Sequence, residues 1–168
     1  MGIVITGSEV YHGRIKDRFG PVVKSKMEEL GCRVVGQTFA SDHVRLIADG
    51  ILDFVREGAQ MVAVTGGMSV DPDDVTRQGL VDAGATDMLY GAPIVPGAMT
   101  LLAHIGPVQV MGVPACALYF KTTSFDLLLP RLLAGLTITR RDLARLANGA
   151  FCLDCKVCTF PQKCPFGK

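Results

Sequence analysis

Residues 60–76 read QMVAVTGGMSVDPDDVT, and the architecture can be inferred outward from this segment. Gln60–Thr65 is a short apolar run with β-branched residues, which is typical of a buried strand. The Gly66–Gly67 turn follows, and a short helix is predicted to begin at Asp74. A buried strand that leads through a glycine turn into a helix is the repeating unit of a parallel α/β sheet.

The same alternation of strand and helix continues on both sides of this segment. It predicts an α/β fold, a three-layer sandwich in which helices cover both faces of a mostly parallel sheet. Helix starts are indicated by Pro21 and by a Ser41 or Asp42 cap. The other predicted elements are strands at Gly2–Thr6, Arg33–Ala40 and Val108–Val113, an extended stretch through Val95, and a long helix from Pro114 to Leu133 that bends at Pro130.

Composition excludes several classes of protein. The chain has 168 residues and a net charge of +1, without a basic stripe or an acidic tail, so neither nucleic acid nor an anionic membrane is predicted as a partner. The apolar stretch from Leu101 to Phe120 contains His104 and Gln109, which favours a buried strand over a membrane span. The chain begins directly with a strand and no signal peptide, so we expect a cytoplasmic protein that is cut from a longer one.

Three loops that follow predicted strands carry the unusual polar residues. They are Thr6-Gly7-Ser8-Glu9, Ser41-Asp42, and the loop from Thr65 to Thr76. Paired glycines let the backbone approach a phosphate, whereas the neighbouring carboxylates would repel it unless a hard cation lies between them. The pattern indicates an anion bound together with Mg²⁺; the alternative is ordinary turn chemistry with aspartates as helix caps.

These motifs together resemble a known family. The order TGSE, Ser-Asp, TGGMSVDPDDVT, PGAM and GVPACALY is similar to the molybdopterin-binding fold of the molybdenum insertases and the molybdopterin adenylyltransferases. The resemblance covers roughly residues 2–135. It implies binding of molybdopterin or its adenylate, with Mg²⁺ and molybdate, and it implies a homo-oligomer.

The resemblance also implies roles for particular residues. Glu9, Asp42 and Asp74 take the places of the family's catalytic carboxylates. The remaining positions would line the pocket for the ligand, and they are Thr6, Gly7, Ser8, Thr65, Gly66, Gly67, Ser69, Asp73, Pro96, Gly97 and Pro114.

The chain departs from the family at two turns. Ala98 stands where insertases carry a lysine after Pro-Gly, and Ala115 stands where the family has a glycine beside the ligand. The first hypothesis is a cofactor-biosynthesis protein that binds molybdopterin and inserts molybdate as a molybdenumtransferase. The alternatives are a molybdopterin adenylyltransferase, a generic nucleotide-binding domain, and a non-catalytic carrier or redox sensor that docks a molybdoenzyme or another protein of the cofactor pathway.

A cysteine-rich tail follows a change in composition near Gly149. We therefore predict two units, residues 1–149 as the binding domain and residues 150–168 as a metal-binding tail. The spacing C-x2-C-x2-C-x5-C-P is typical of a four-thiolate site that holds an iron–sulfur cluster or Zn²⁺; the alternatives are disulfides or disordered thiols. The predicted ligands are Cys152, Cys155, Cys158 and Cys164, whereas Cys32 and Cys116 are expected to pack in the core.

Overall fold

The chain folds around one six-stranded sheet. The computed structural model describes residues 1–69, 71 and 74–167. The strand order is β2-β1-β3-β6-β5-β4; the first four of these run parallel, whereas β5 lies antiparallel to both β6 and β4. The mostly parallel sheet predicted from the sequence is confirmed. The strands are β1 (Gly2–Thr6), β2 (Gly36–Ala40), β3 (Met61–Thr65), β4 (Thr86–Tyr90), β5 (Leu101–Ile105) and β6 (Val108–Val113).

Helices cover both faces of this sheet, as a three-layer sandwich requires. The helices are α1 (Ser8–Tyr11), α2 (Phe19–Glu29), α3 (Val44–Arg56), α4 (Thr76–Asp82), α5 (Ser124–Leu133) and α6 (Arg140–Leu146), and a short 3₁₀ helix spans Ala115–Leu118. Helix α5 ends at Leu133, as predicted, whereas the predicted starts of the helices differ from the observed ones.

Two hydrophobic cores lie on opposite faces of the sheet, because successive residues of a strand point in opposite directions. Ile3 and Ile5 of β1 pack into the core beneath α2 and α5, whereas Val4 packs into the core beneath α3. Both β1 and β3 are buried along their whole length. Strands that are covered on both faces read as continuous apolar runs, which explains why these two were predicted accurately.

The region after Tyr90 differs from the prediction. The apolar stretch from residue 101 contains two strands, β5 and β6, which form a hairpin through Gly106 and Pro107. The predicted long helix is wrong: the chain forms the 3₁₀ turn after Pro114, leaves the helical conformation, and starts again at Ser124. The new start is set by Thr123 and Asp126, which form a capping box.

The predicted helices also differ from the observed ones. Helix α2 begins at Phe19 rather than Pro21, because Asp17 Oδ1 accepts hydrogen bonds from the amides of Phe19 (2.8 Å) and Gly20 (3.1 Å). Helix α6 was not predicted, although Thr139 and Asp142 form a second capping box there. No helix in the described residues is both long and apolar enough to cross a membrane.

The cysteine-rich tail packs on the face that carries α2 and α5. Phe166 is buried in the same core as Ile3 and Phe125, and Cys152, Phe160 and Cys164 pack against that core. Cys32 packs there as well, as predicted, and burial raises the pKa of its thiol.

Candidate functional site

The carboxyl ends of four parallel strands meet at one edge of the sheet. The pairing register aligns Thr6 of β1 with Ala40 of β2, and Thr65 of β3 with Val113 of β6. From β1 the chain winds outward to β2 and then returns across β1 to β3, so the crevice between β1 and β3 is a topological switch point. In open α/β sheets, ligands bind at such a crevice. The structure therefore brings the three polar loops together at the position where a ligand site is expected.

Three threonines close the bottom of this crevice. Thr6 Oγ1 donates to the carbonyl of Thr65 (2.6 Å) and lies 3.2 Å from Thr76 Oγ1. Because the Thr6 proton is already used, Thr76 is the donor in the second bond. All three side chains are buried, and Thr65 Oγ1 has no hydrogen-bond partner within the described part of the chain. A buried hydroxyl without a partner is costly, so Thr65 is a candidate contact for a bound polar group.

The Gly66–Gly67 turn packs directly against these threonines. Both residues have left-handed backbone angles, with φ of 83° and 56°. A Cβ atom on Gly66 would lie 2.8 Å from the carbonyl oxygen of Thr6, and one on Gly67 would lie 2.4 Å from Thr76 Oγ1. The glycines are thus required by the turn itself, besides any role in letting the backbone approach a ligand.

Ser8 and Asp42 tie the first two loops together. The Ser8 amide donates to Asp42 Oδ2 (2.8 Å), and the Asp42 amide donates to Ser8 Oγ (3.2 Å). The expectation that Ser41 or Asp42 caps the next helix is therefore wrong: His43 is the N-cap of α3, and no side chain caps it. Since Ser8 Oγ accepts from Asp42, its hydroxyl proton remains to be donated to a ligand.

The third loop is organised by Asp74 in a similar way. Ser69 donates its amide to Asp74 Oδ2 (2.6 Å), whereas Val75 is the N-cap of α4. The prediction that this helix begins at Asp74 is therefore wrong. Asp74 lies in the loop before the helix, where it binds the Ser69 amide. Asp73, which was predicted to contact the ligand, lies outside the described residues.

The carboxylates do not form a ready-made metal cage. Among the described residues, no three His, Cys, Asp or Glu side chains converge on one point. Glu9 lies exposed on α1, while Asp42 and Asp74 are each bound to the amide of a serine. Mg²⁺ is usually held by one or two carboxylates together with water and phosphate oxygens, so the chemistry of these donors fits a cation that arrives with a phosphate.

Tyr90 and Arg77 were missed by the sequence analysis. The Tyr90 hydroxyl donates to the carbonyl of Met68 (2.5 Å) and lies 3.4 Å from Met99 Sδ, so it joins the glycine loop to the Pro-Gly turn. Arg77 stacks on the Tyr90 ring, with its Cζ 4.4 Å from the centroid. Tyr90 lies outside the motifs, and the packing of β4 beside β5 brings it to this edge, whereas Arg77 directly follows Thr76 at the start of α4.

The Pro96–Gly97 turn contacts the start of α5. The amide of Ser124 donates to the carbonyl of Pro96 (3.0 Å), and a Cβ on Gly97 would lie 2.8 Å from the Ser124 nitrogen. Ser124 is fully buried, and its hydroxyl has no partner among the residues that the structure describes. Pro114, at the end of β6, is buried and begins the 3₁₀ turn. A second unpaired hydroxyl therefore lies beside a predicted pocket turn.

A large open cavity lies elsewhere. It has a volume of about 910 Å³ and is formed by α2, α5 and the tail residues Phe160 and Pro161. A smaller cavity of about 50 Å³ is lined by all four tail cysteines. Neither cavity includes the acidic loops, so the candidate site rests on the convergence of those loops rather than on a deep pocket.

Comparison with known proteins gives a family match for most of the chain. Residues 2–134 match the model of a family described as a probable molybdopterin binding domain. A CinA-like protein from Mycobacterium sp. (strain MCS) is 35% identical over 75 residues, which make up 45% of this chain and 18% of that protein. The chain thus spans less than a fifth of the length of the curated relatives that it matches.

Solved structures share the fold at low sequence identity. The molybdopterin biosynthesis enzyme MoaB from Thermus thermophilus gives a TM-score of 0.68 at 15% identity, over 90% of this chain and 98% of that one. The molybdopterin biosynthesis Mog protein from Mycobacterium ulcerans gives a TM-score of 0.66 at 17% identity, over 80% and 94% of the two chains. These likenesses concern the fold alone.

Proposed function

The chain belongs to the molybdopterin-binding domain family, and on that premise we propose that it binds molybdopterin or its adenylate together with Mg²⁺ and catalyses the insertion of molybdate. The observation that carries this proposal is the meeting of the loops after β1, β2 and β3 at the switch point. These loops supply the Gly66–Gly67 turn and the carboxylates Asp42 and Asp74 at the same edge.

The polar groups suggest a division of work within the site. The Ser8 hydroxyl can donate its proton, and the Thr65 hydroxyl has no partner among the described residues; both would bind oxygen atoms of the ligand. Asp42 and Asp74 would hold Mg²⁺, which supplies positive charge that offsets the phosphate. Glu9 is exposed on the first loop, where it would orient the anion or a water molecule.

Arg77 is proposed to replace the lysine that the Pro96–Gly97 turn lacks. Its guanidinium stacks on Tyr90, whose hydroxyl is bonded to Met68 in the glycine loop. A cation held in this way can face an anionic ligand without moving the loop. The proposal also includes a cytoplasmic location and self-association. Light scattering on the purified chain tests the self-association.

Charge and loop geometry can be separated at Asp42. Asp42→Asn removes the negative charge but leaves an oxygen that can accept from the Ser8 amide, whereas Asp42→Ala removes both. We expect anaerobic titration with molybdopterin to show tighter binding with Mg²⁺ for the wild type, and loss of that Mg²⁺ effect in Asp42→Asn. Asp49→Asn, on the exposed face of α3, is the matched control and should bind as the wild type does.

Two outcomes would contradict the proposal. Folded wild-type protein that does not bind molybdopterin would overturn the ligand, and an equal loss of binding in Asp49→Asn would show that only general surface charge is involved. Incubation of the adenylate with molybdate then tests the reaction. Release of AMP supports insertion, binding without release indicates a carrier, and adenylylation with ATP indicates an adenylyltransferase.

The metal predicted for the cysteine tail is a separate proposal. Its ligands lie beyond residues 2–134, which the family model matches, so it does not depend on the function of the acidic loops.

A further inference from the structure

The tail is a loop whose two ends are fastened to the same place. The amide of Gly167 donates to the carbonyl of Gly149 (3.0 Å), which closes the loop. Near its start, Val95 donates to Ala150 and accepts from Cys152, each at 2.8 Å, in a short parallel bridge. The loop is therefore held against the segment that leads into the Pro96–Gly97 turn.

Apart from Cys152, Phe160 and Cys164, which are partly buried against the core, little apolar surface supports the interior of this loop. Between residues 151 and 165 no described side chain is buried, and beyond the bridge at Phe151 the segment contains no helix or strand. The buried residues lie at the two ends of the loop: Ala150, Phe166 and Gly167. Segments that bury so little are commonly held by disulfides or by a metal ion.

The four tail cysteines surround one small cavity. Cys152, Cys155, Cys158 and Cys164 all line a space of about 50 Å³, and all four are free thiols. Cys32 and Cys116 are not part of this lining. The four cysteines whose spacing predicts a four-thiolate site therefore lie around the same cavity.

The surroundings of the cavity suit negatively charged thiolates. Lys121 lines the cavity, and Lys156 and Lys163 lie on the loop itself, whereas Asp154 is the opposing charge in the lining. Thr122 Oγ1 lies 3.5 Å from Cys158 Sγ. Positive side chains and a nearby hydroxyl stabilise thiolates bound to a metal.

We propose that Cys152, Cys155, Cys158 and Cys164 bind one thiophilic metal centre, either Zn²⁺ or an iron–sulfur cluster. Binding of Zn²⁺ forms four metal–sulfur bonds and releases the four thiol protons to solvent. In the described residues no three of these side chains yet converge to ligating distance, so the loop closes around the metal as it binds. The closed loop would brace Val95 and Thr122, which lie beside the Pro96–Gly97 turn and the start of α5.

The test uses the full chain, purified anaerobically and kept reduced. Analysis of zinc, iron and acid-labile sulfide distinguishes the two metals: zinc without sulfide indicates a single ion, and iron with matching sulfide indicates a cluster. Co²⁺ added to the metal-free protein should give the intense absorption bands of a tetrahedral thiolate site. Cys155→Ser and Cys164→Ser should lose the metal, whereas Cys32→Ser, outside the cavity, should keep it.

A measurement on the wild type keeps the proposal testable if these variants fold poorly. Zn²⁺ should protect the four tail cysteines from alkylation, while Cys116 stays as reactive as in the metal-free protein. Failure of the reduced protein to bind Zn²⁺, Co²⁺ or a cluster would overturn the proposal. Disulfides within the tail that persist through reducing purification, or equal loss of metal in Cys32→Ser, would overturn it as well.

Discussion

Gly66→Ala tests whether the glycine turn is shaped by its contact with β1. The new methyl group would lie 2.8 Å from the carbonyl oxygen of Thr6 and from Thr6 Oγ1, and the backbone φ of 83° is unfavourable for alanine. The left-handed angle costs about 1–2 kcal/mol. Forcing an extra carbon against a fixed backbone oxygen costs about 1–3 kcal/mol more. We therefore expect the free energy of unfolding to fall by roughly 2–5 kcal/mol.

Gly58→Ala isolates the steric part of this effect. Gly58 follows α3 with a φ of 78°, nearly that of Gly66, and no atom lies within 4 Å of a Cβ placed there. Both variants share the strain and the change in the unfolded chain, so their difference measures the contact with Thr6. Urea unfolding of both variants, followed by circular dichroism, should show Gly66→Ala to be less stable by about 1–3 kcal/mol. Equal stabilities would refute the reasoning.

Three further predictions concern the scaffold that carries the site. Lys26→Met leaves the largely buried Asp126 carboxylate without its cation and should lower the free energy of unfolding by about 2–3 kcal/mol. Lys24→Met, which breaks an exposed pair with Glu28, should cost under about 0.5 kcal/mol; similar losses in the two would contradict the burial argument. Thr123→Ala removes the cap of α5 and should cost about 1 kcal/mol in the same assay, and an unchanged value would argue against the capping box. Hydrogen bonds from Thr139 lower the pKa of Asp142 in the folded protein. The ionised Asp142 carboxylate therefore contributes fully to stability above the unfolded pKa of about 3.9, and this contribution is lost as the pH falls through the lower folded pKa. The stability difference between wild type and Asp142→Asn should accordingly shrink below about pH 4, and a constant difference in thermal unfolding would contradict this linkage.

Local signals in the sequence were sufficient to predict the bounds of strands that are buried on both faces. The strand at Gly2–Thr6 has the predicted bounds, and β3 is one residue shorter than predicted, because strands covered on both faces must be apolar throughout. The two capping boxes at Thr123–Asp126 and Thr139–Asp142 could also have been recognised in the sequence from the pattern Thr-x-x-Asp. Reading the first would have ended the predicted long helix, and reading the second would have revealed α6.

Pairing between strands could not be read in the same way. The apolar run from residue 101 was compatible with one strand or two, since hydrophobicity does not specify a partner. Its division into β5 and β6 depends on the Gly106 turn and on an antiparallel register with β4 and β6. The same pairing places Tyr90 next to Met68 and Met99, which is why this residue escaped the motif analysis.

The amino-acid sequence alone was enough to establish the layered α/β fold, the family and the loops that carry the polar residues. Only the tertiary structure decided which groups bond to one another: Ser8 with Asp42 across 34 positions, Thr6 with Thr65 across 59, and Thr6 with Thr76 across 70. The physical reason is that local conformation follows from neighbouring side chains, whereas these hydrogen bonds exist only after strand order and register have brought distant loops to one edge of the sheet.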